Sequence, residues 1–152
     1  MVVDYEMKRN NLKFGSEEEK EFYNILKKSK NVYSYEIHKN NKFSKMDLFE
    51  MDEKNENITS EHEVKGRNIY HNQYWSLFFN KCKFEYSLEQ LKKGIKQIYY
   101  WKCKDGLFYW ELYDEIKQKN EFKFGRNGNF QTGEGLRDIV NIKVEYIKKY
   151  IE

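Results

Sequence analysis

The chain has 152 residues, enough for one domain with a sizeable core. No run approaches the roughly 18 apolar residues of a membrane span, and Met1 to Asn10 hold no apolar signal-peptide core, so a cytoplasmic or nuclear protein is expected. The 28 Lys and Arg against 25 Asp and Glu leave a net charge of +3, which permits nucleic-acid binding without requiring it; the two cysteines, Cys82 and Cys103, supply neither a disulfide framework nor a C-x-x-C zinc pair.

The 13 Tyr, 11 Phe and 3 Trp favour strands, so a sheet-rich core is expected despite the low mean hydropathy. Met1 to Lys13 reads as a short arm. Ser16 with Glu19 three positions later is a capping box, and Phe22, Ile25 and Leu26 form the apolar stripe of the helix it opens. Val32 to His38, Lys42 to Met51 and Ile58 to Lys65 read as three strands joined by the polar turns 39–41 and 52–57, an antiparallel meander. Residues 66–83 are too apolar for a free loop and predict a packed, partly irregular segment, with Tyr74 and Trp75 expected in the core and stacking on bases as the alternative. Ser87 is placed as the cap of a second helix carrying Leu88, Leu91 and Ile95. Lys104-Asp105-Gly106 marks a hairpin between Ile98–Cys103 and Leu107–Tyr113, whose apolar faces predict central, covered strands. Phe122 to Gly125 is a further short strand, the glycine-rich 126–135 a mobile loop, and Asp138 to Tyr146 strand-like.

The chemistry concentrates in Glu61-His62-Glu63-Val64-Lys65-Gly66-Arg67. On a strand, Glu61, Glu63 and Lys65 leave one face, while Ile58, Ser60, His62 and Val64 take the other. A carboxylate and an ammonium two residues apart can hold a divalent cation and aim a positive charge at one reacting atom. Asp47, on the preceding strand, is the second carboxylate.

The order of helix, strand, strand with Asp47, strand with Glu63-Val64-Lys65, helix, strand resembles the PD-(D/E)XK nuclease superfamily. Phe14-Gly15-x-x-x-Glu19, the run ending at Arg67 and Lys104-Asp105-Gly106-Leu107-Phe108-Tyr109 resemble small uncharacterised nuclease-like proteins of large DNA viruses. The resemblance covers about 14–114, with 115–152 a C-terminal extension of one domain. Met46 stands where the superfamily name expects proline.

It implies an α/β fold, a mixed central sheet flanked by helices as in restriction endonucleases. It also implies a Mg²⁺- or Mn²⁺-dependent DNA nuclease, an endonuclease or a Holliday-junction-resolvase-like enzyme, working as a homodimer. Asp47, Glu63 and the Val64 carbonyl would hold the metal, and Lys65 would act on the attacking water. Glu19 would complete the shell, although Glu18 projects nearer the middle of the apolar stripe and both stay open.

Arg67, Lys92, Lys96 and Arg126 are the candidate nucleic-acid contacts, with Lys81, Lys83 and Lys93 as further members of a phosphate track. Each has a plainer reading: Asp47 as a solvated edge residue, Glu63 and Lys65 as a surface ion pair, the lysines as a solvated helix face. His38, His62 and His71 lack ligand spacing. The competing functions are a catalytically silent nuclease-fold module that binds nucleic acid or protein, and a purely structural protein.

Overall fold

The computed structural model describes Asn24, residues 31–35, 46–129 and 134–150. The expected first helix is described only at Asn24, which is helical; Glu18, Glu19 and residues 36–45 lie outside the described residues.

Strands β1 (Val32–Ser34), β2 (Leu48–Met51) and β3 (Ile58–Gly66) form the expected antiparallel meander. Asp52 closes the turn before β3, its carboxylate accepting from the Glu56 amide at 2.9 Å and the Asn57 side chain at 3.0 Å. The chain then departs from expectation. Ser76–Asn80 is a strand, β4, because Leu77 and Phe79 alternate inward with Phe78 between them. Helix α1 (Lys81–Lys92) follows at once, with Asn80 at the N-cap position and no side-chain cap hydrogen bond. Ser87 is therefore not a cap. It is buried mid-helix and donates to Gln97 Oε1 at 2.8 Å. The helix ends where Gly94 enters the left-handed region, with Gly94 N donating to the Leu91 carbonyl and Ile95 N to that of Gln90, a Schellman motif.

Beyond it come β5 (Lys96–Cys103), β6 (Gly106–Leu112), β7 (Phe122–Asn129), β8 (Glu134–Lys143) and the short β9 (Lys148–Lys149). The hairpin at Lys104-Asp105 is as expected, with Cys103 paired to Gly106. The glycine-rich region is not a loop throughout, since β7 runs to Asn129 and β8 begins at Glu134. Gly125 is there for space: a Cβ would stand 2.9 Å from the Asn141 side-chain amide on β8.

The result is mixed α/β and mostly strand. A six-stranded mixed sheet has the order β1-β2-β3-β5-β6-β9, with β3 and β5 parallel. A three-stranded antiparallel sheet, β4-β8-β7, packs with it. The expected mixed sheet is present. Its helical flanking is not matched: among the described residues one helix and the second sheet cover it. The main core draws on both sheets, with Tyr99, Trp101, Trp110 and Leu112 meeting Leu77, Phe79, Val140 and Ile142. Phe122, Val140, Ile142 and Ile147 of the C-terminal region belong to this core. On the other face, Val32, Leu48, Val64 and Tyr100 form a smaller cluster. Strands β5 and β6 are covered and internal, as expected.

Tyr74 and Trp75, expected in the core, are 59% and 55% exposed. No described helix is long and apolar enough to cross a membrane.

The Phe79 ring lies 3.8 Å, centroid to centroid, from Tyr99 at the sheet–sheet contact. Phe79→Ala should cost about 3–5 kcal/mol in urea denaturation, whereas Trp75→Ala should stay within about 0.5 kcal/mol of wild type.

Candidate active site

The parallel pairing of β3 with β5 sets Glu61 opposite Gln97, Glu63 opposite Tyr99 and Lys65 opposite Trp101. Tyr99 and Trp101 belong to the main core, so this face of β3 is the covered one. Glu61 and Glu63 are 0% and 2% exposed in consequence. His62 is on the opposite face, as its alternation predicts. Its ring nitrogens meet Ser60 Oγ at 2.9 Å and Tyr100 OH at 3.2 Å, and burial lowers its pKa to about 4.

Helix α1 lays Lys83, Tyr86, Ser87 and Gln90 over this row. Their spacing of i, i+3, i+4 and i+7 is one helical face. The face is polar because its opposing surface is a row of carboxylates.

The two buried glutamates are held differently. Glu61 Oε1 accepts from Gln90 Nε2 and Gln97 Nε2, both at 2.8 Å. Its Oε2 accepts from the Tyr86 hydroxyl at 2.8 Å and from Tyr35 OH. Four neutral donors satisfy that carboxylate, a structural role. Glu63 has both its ammonium partners on one oxygen: Lys83 Nζ at 2.5 Å and Lys65 Nζ at 3.6 Å from Oε1. Its Oε2 is buried and has no hydrogen-bond partner among the described residues.

Burial and then the charge of Asp47 push the Glu63 carboxyl up to about 8, against the pull of Lys83 and Lys65. The lysines diverge. Burial works to lower Lys83, but the charge and hydrogen bond of Glu63 outweigh it and hold that ammonium above its ordinary range. Burial, helped by Lys83, takes Lys65 below its ordinary range despite Glu63.

Asp47 sits in the bend just before β2. Its backbone still pairs, N–H to the His62 carbonyl and C=O to the Tyr35 amide, both at 3.1 Å. Its Oδ2 accepts from the Val64 amide at 3.0 Å, where the β2–β3 ladder has ended. A strand residue sends its N–H and C=O out of the same edge. The Val64 carbonyl therefore leaves β3 on the side of Asp47.

Asp47, Glu63, Val64 and Lys65 are thus brought together as the spacing predicts. Among the described residues no three His, Cys, Asp or Glu side chains are grouped to hold a metal ion. What the arrangement offers a cation is two carboxylates and a carbonyl. The buried, unpartnered Glu63 Oε2 fits that use, because an oxygen shut away from water without a donor is costly and a hard cation would answer it.

Arg67, two residues beyond Lys65, is half-buried; it donates to the Gly66 carbonyl at 3.1 Å and lies 5.0 Å over the Phe78 ring. The remaining proposed contacts lie elsewhere. Lys96 is opposite Ser60 at the other end of β3. Lys92 is nine residues past Lys83, about 13 Å along the helix, and pairs with Glu89 at 3.1 Å. Arg126 is on β7, paired with Asp138 at 3.2 Å. Lys83 is the residue that periodicity does not single out. The 83/86/87/90 face is polar, so a search for an apolar stripe passes over it.

Comparison with protein-family models, with characterised proteins and with solved structures returns no significant match.

A raised carboxyl pKa stabilises the fold fully below the unfolded value, near 4.5, and the contribution is lost as pH rises through about 8. The lowered His62 acts oppositely between about 4 and 6.5, where its stability rises with pH. The two offset each other below pH 6.5. From about pH 6.5 to 8, without divalent cations, unfolding free energy should fall by up to about 1.4 kcal/mol per pH unit. Urea titrations of wild type and Glu63→Gln across that window check this, and the variant should show no such slope.

Proposed function

We propose that this protein is a Mg²⁺- or Mn²⁺-dependent nuclease that hydrolyses DNA phosphodiester bonds. The observation that carries the reading is Glu63: a buried carboxylate beside Asp47, with two lysines at one oxygen and, among the described residues, no donor at the other. A carboxylate buried for structure alone does not need that asymmetry, as Glu61 in the same row, bonded by neutral donors at both oxygens, illustrates.

Asp47, Glu63 and the Val64 carbonyl would hold the cation. A divalent ion there supplies Lewis acidity toward a phosphoryl oxygen and makes water nucleophilic near neutral pH. The chain's own groups do the rest. Lys65, about a third exposed at its side chain, opens to solvent from this row and is placed to orient a water and exchange its proton. Lys83, kept a cation by Glu63, adds positive charge where the phosphate becomes more negative in the transition state. Its position on α1, over β3, holds Glu63 Oε1 and leaves Oε2 for the ion. Arg67, just past the end of β3, would serve as a phosphate contact.

The silent-module reading draws on that Lys83 contact, which by itself would neutralise Glu63. Cleavage of supercoiled plasmid with Mg²⁺ or Mn²⁺ separates the two. Asp47→Ala and Lys65→Ala should each lower the rate on the order of 10²–10³-fold with binding retained. Equal rates in all three proteins would overturn the catalytic assignment, and wild-type binding without cutting would favour the module.

A further inference from the structure

We infer that the segment following the motif strand is a stacking platform for unpaired bases, so that the nuclease acts on nucleic acid carrying single-stranded stretches. This rests on the nuclease reading and narrows its substrate class. The segment, residues 67–75, exposes Tyr70, Tyr74 and Trp75 at 55%, 59% and 55%. Scattered apolar exposure is ordinary, but three large exposed rings within six residues of one segment are not scattered.

The rings do not hold the segment in place. Arg67 N donates to the Lys102 carbonyl at 2.9 Å and Lys104 N to that of Ile69 at 2.8 Å. His71 is clamped to Asp105 through its amide at 2.9 Å and Nδ1 at 2.5 Å, and its ring stacks on Phe108 at 4.0 Å. Gln73 closes a turn on Tyr70, and the Trp75 carbonyl accepts from Val144 N at 3.1 Å. The backbone is therefore fixed by other groups while the three rings face water. A rigid segment presenting rings loses little freedom on binding.

Charge and reach select the partner. Lys104 Nζ lies 5.7 Å from the Tyr70 ring, and the Arg67 guanidinium 5.0 Å over Phe78. Rings interleaved with cations match bases on a phosphate backbone. Tyr70 is five residues from Lys65, at most about 18 Å along the chain. That is about five steps of stacked nucleotides at ~3.4 Å each. Bases inside a duplex already stack on one another, so exposed rings favour bases that do not.

Of the three tryptophans, Trp101 and Trp110 are buried, so quenching reports on Trp75. The full chain, in EDTA and again with Ca²⁺, is titrated with oligothymidylate and with a duplex of equal length. Binding is read by tryptophan quenching and by anisotropy of a labelled strand. Wild type should bind the single strand with quenching. Trp75→Ala and Tyr74→Ala should each weaken it about tenfold or more, Trp75→Phe should restore it, and duplex affinity should change less than about twofold. Unchanged single-strand affinity in the alanine variants, or equal loss for both DNAs, overturns the platform. Because binding is read without cleavage, a protein that shows these losses yet never cuts overturns the nuclease reading alone. A cutting enzyme indifferent to the alanine changes overturns the platform alone. A wild-type protein that binds neither DNA overturns both and leaves the rings to a protein partner.

Discussion

The Glu63 carboxylate, shut between β3 and α1, is the constraint on which the account depends. A charge taken out of water costs several kcal/mol unless partners replace the solvent. Here the replacement is one-sided. Lys83 and Lys65 serve one oxygen, and the other has no donor among the described residues. Asp47 adds repulsion rather than relief, and the carboxyl takes up a proton more readily than an ordinary glutamate. Glu61, two residues away on the same face, shows what the fold does with a carboxylate that has only to be buried: it surrounds it with hydroxyl and amide donors.

The architecture imposes this arrangement. Parallel pairing with β5 turns Glu61, Glu63 and Lys65 toward the covered face. The Schellman stop at Gly94 ends α1 and turns the chain into β5. Helix α1 must then present polar groups downward, because carboxylates lie beneath it. The sheet–sheet contact at Phe79 and Tyr99 lies beside this seam, and the Tyr99 hydroxyl donates to the Lys83 carbonyl at 3.1 Å. Core packing and the position of Lys83 are thereby linked.

Much of the site was legible because alternation is a local signal. Glu63 falls on its strand by period and turn length, Asp47 stands in the bend just before the neighbouring strand rather than on it, and the opposite direction of His62 follows from the same alternation. The contact of Lys83 with Glu63 is not legible from its place in a run of lysines. Asn80 at the N-cap position makes no side-chain cap bond, and the helix starts there, seven residues before Ser87. The buried helix face is polar, which reverses the usual pattern. Gly125, the expected end of a short strand, instead lies mid-strand beside Asn141 of β8, whose side-chain amide a Cβ would meet at 2.9 Å. Tyr74 and Trp75 were placed inside on hydrophobicity, and nothing local reveals that His71 and Asp105 hold their segment to the surface instead. The helical flanking implied by family resemblance was met by one described helix and a second sheet, since the strands that build that sheet lie mostly in the region read as an extension.

Calorimetric titration of the full chain with Mn²⁺ decides whether Asp47 and Glu63 form one divalent-cation site. One ion should bind per chain, with affinity falling at least about tenfold in both Asp47→Asn and Glu63→Gln and holding within about twofold in Glu89→Gln, a remote surface carboxylate. An affinity untouched by either site substitution, or no binding by the wild-type protein, would contradict that site.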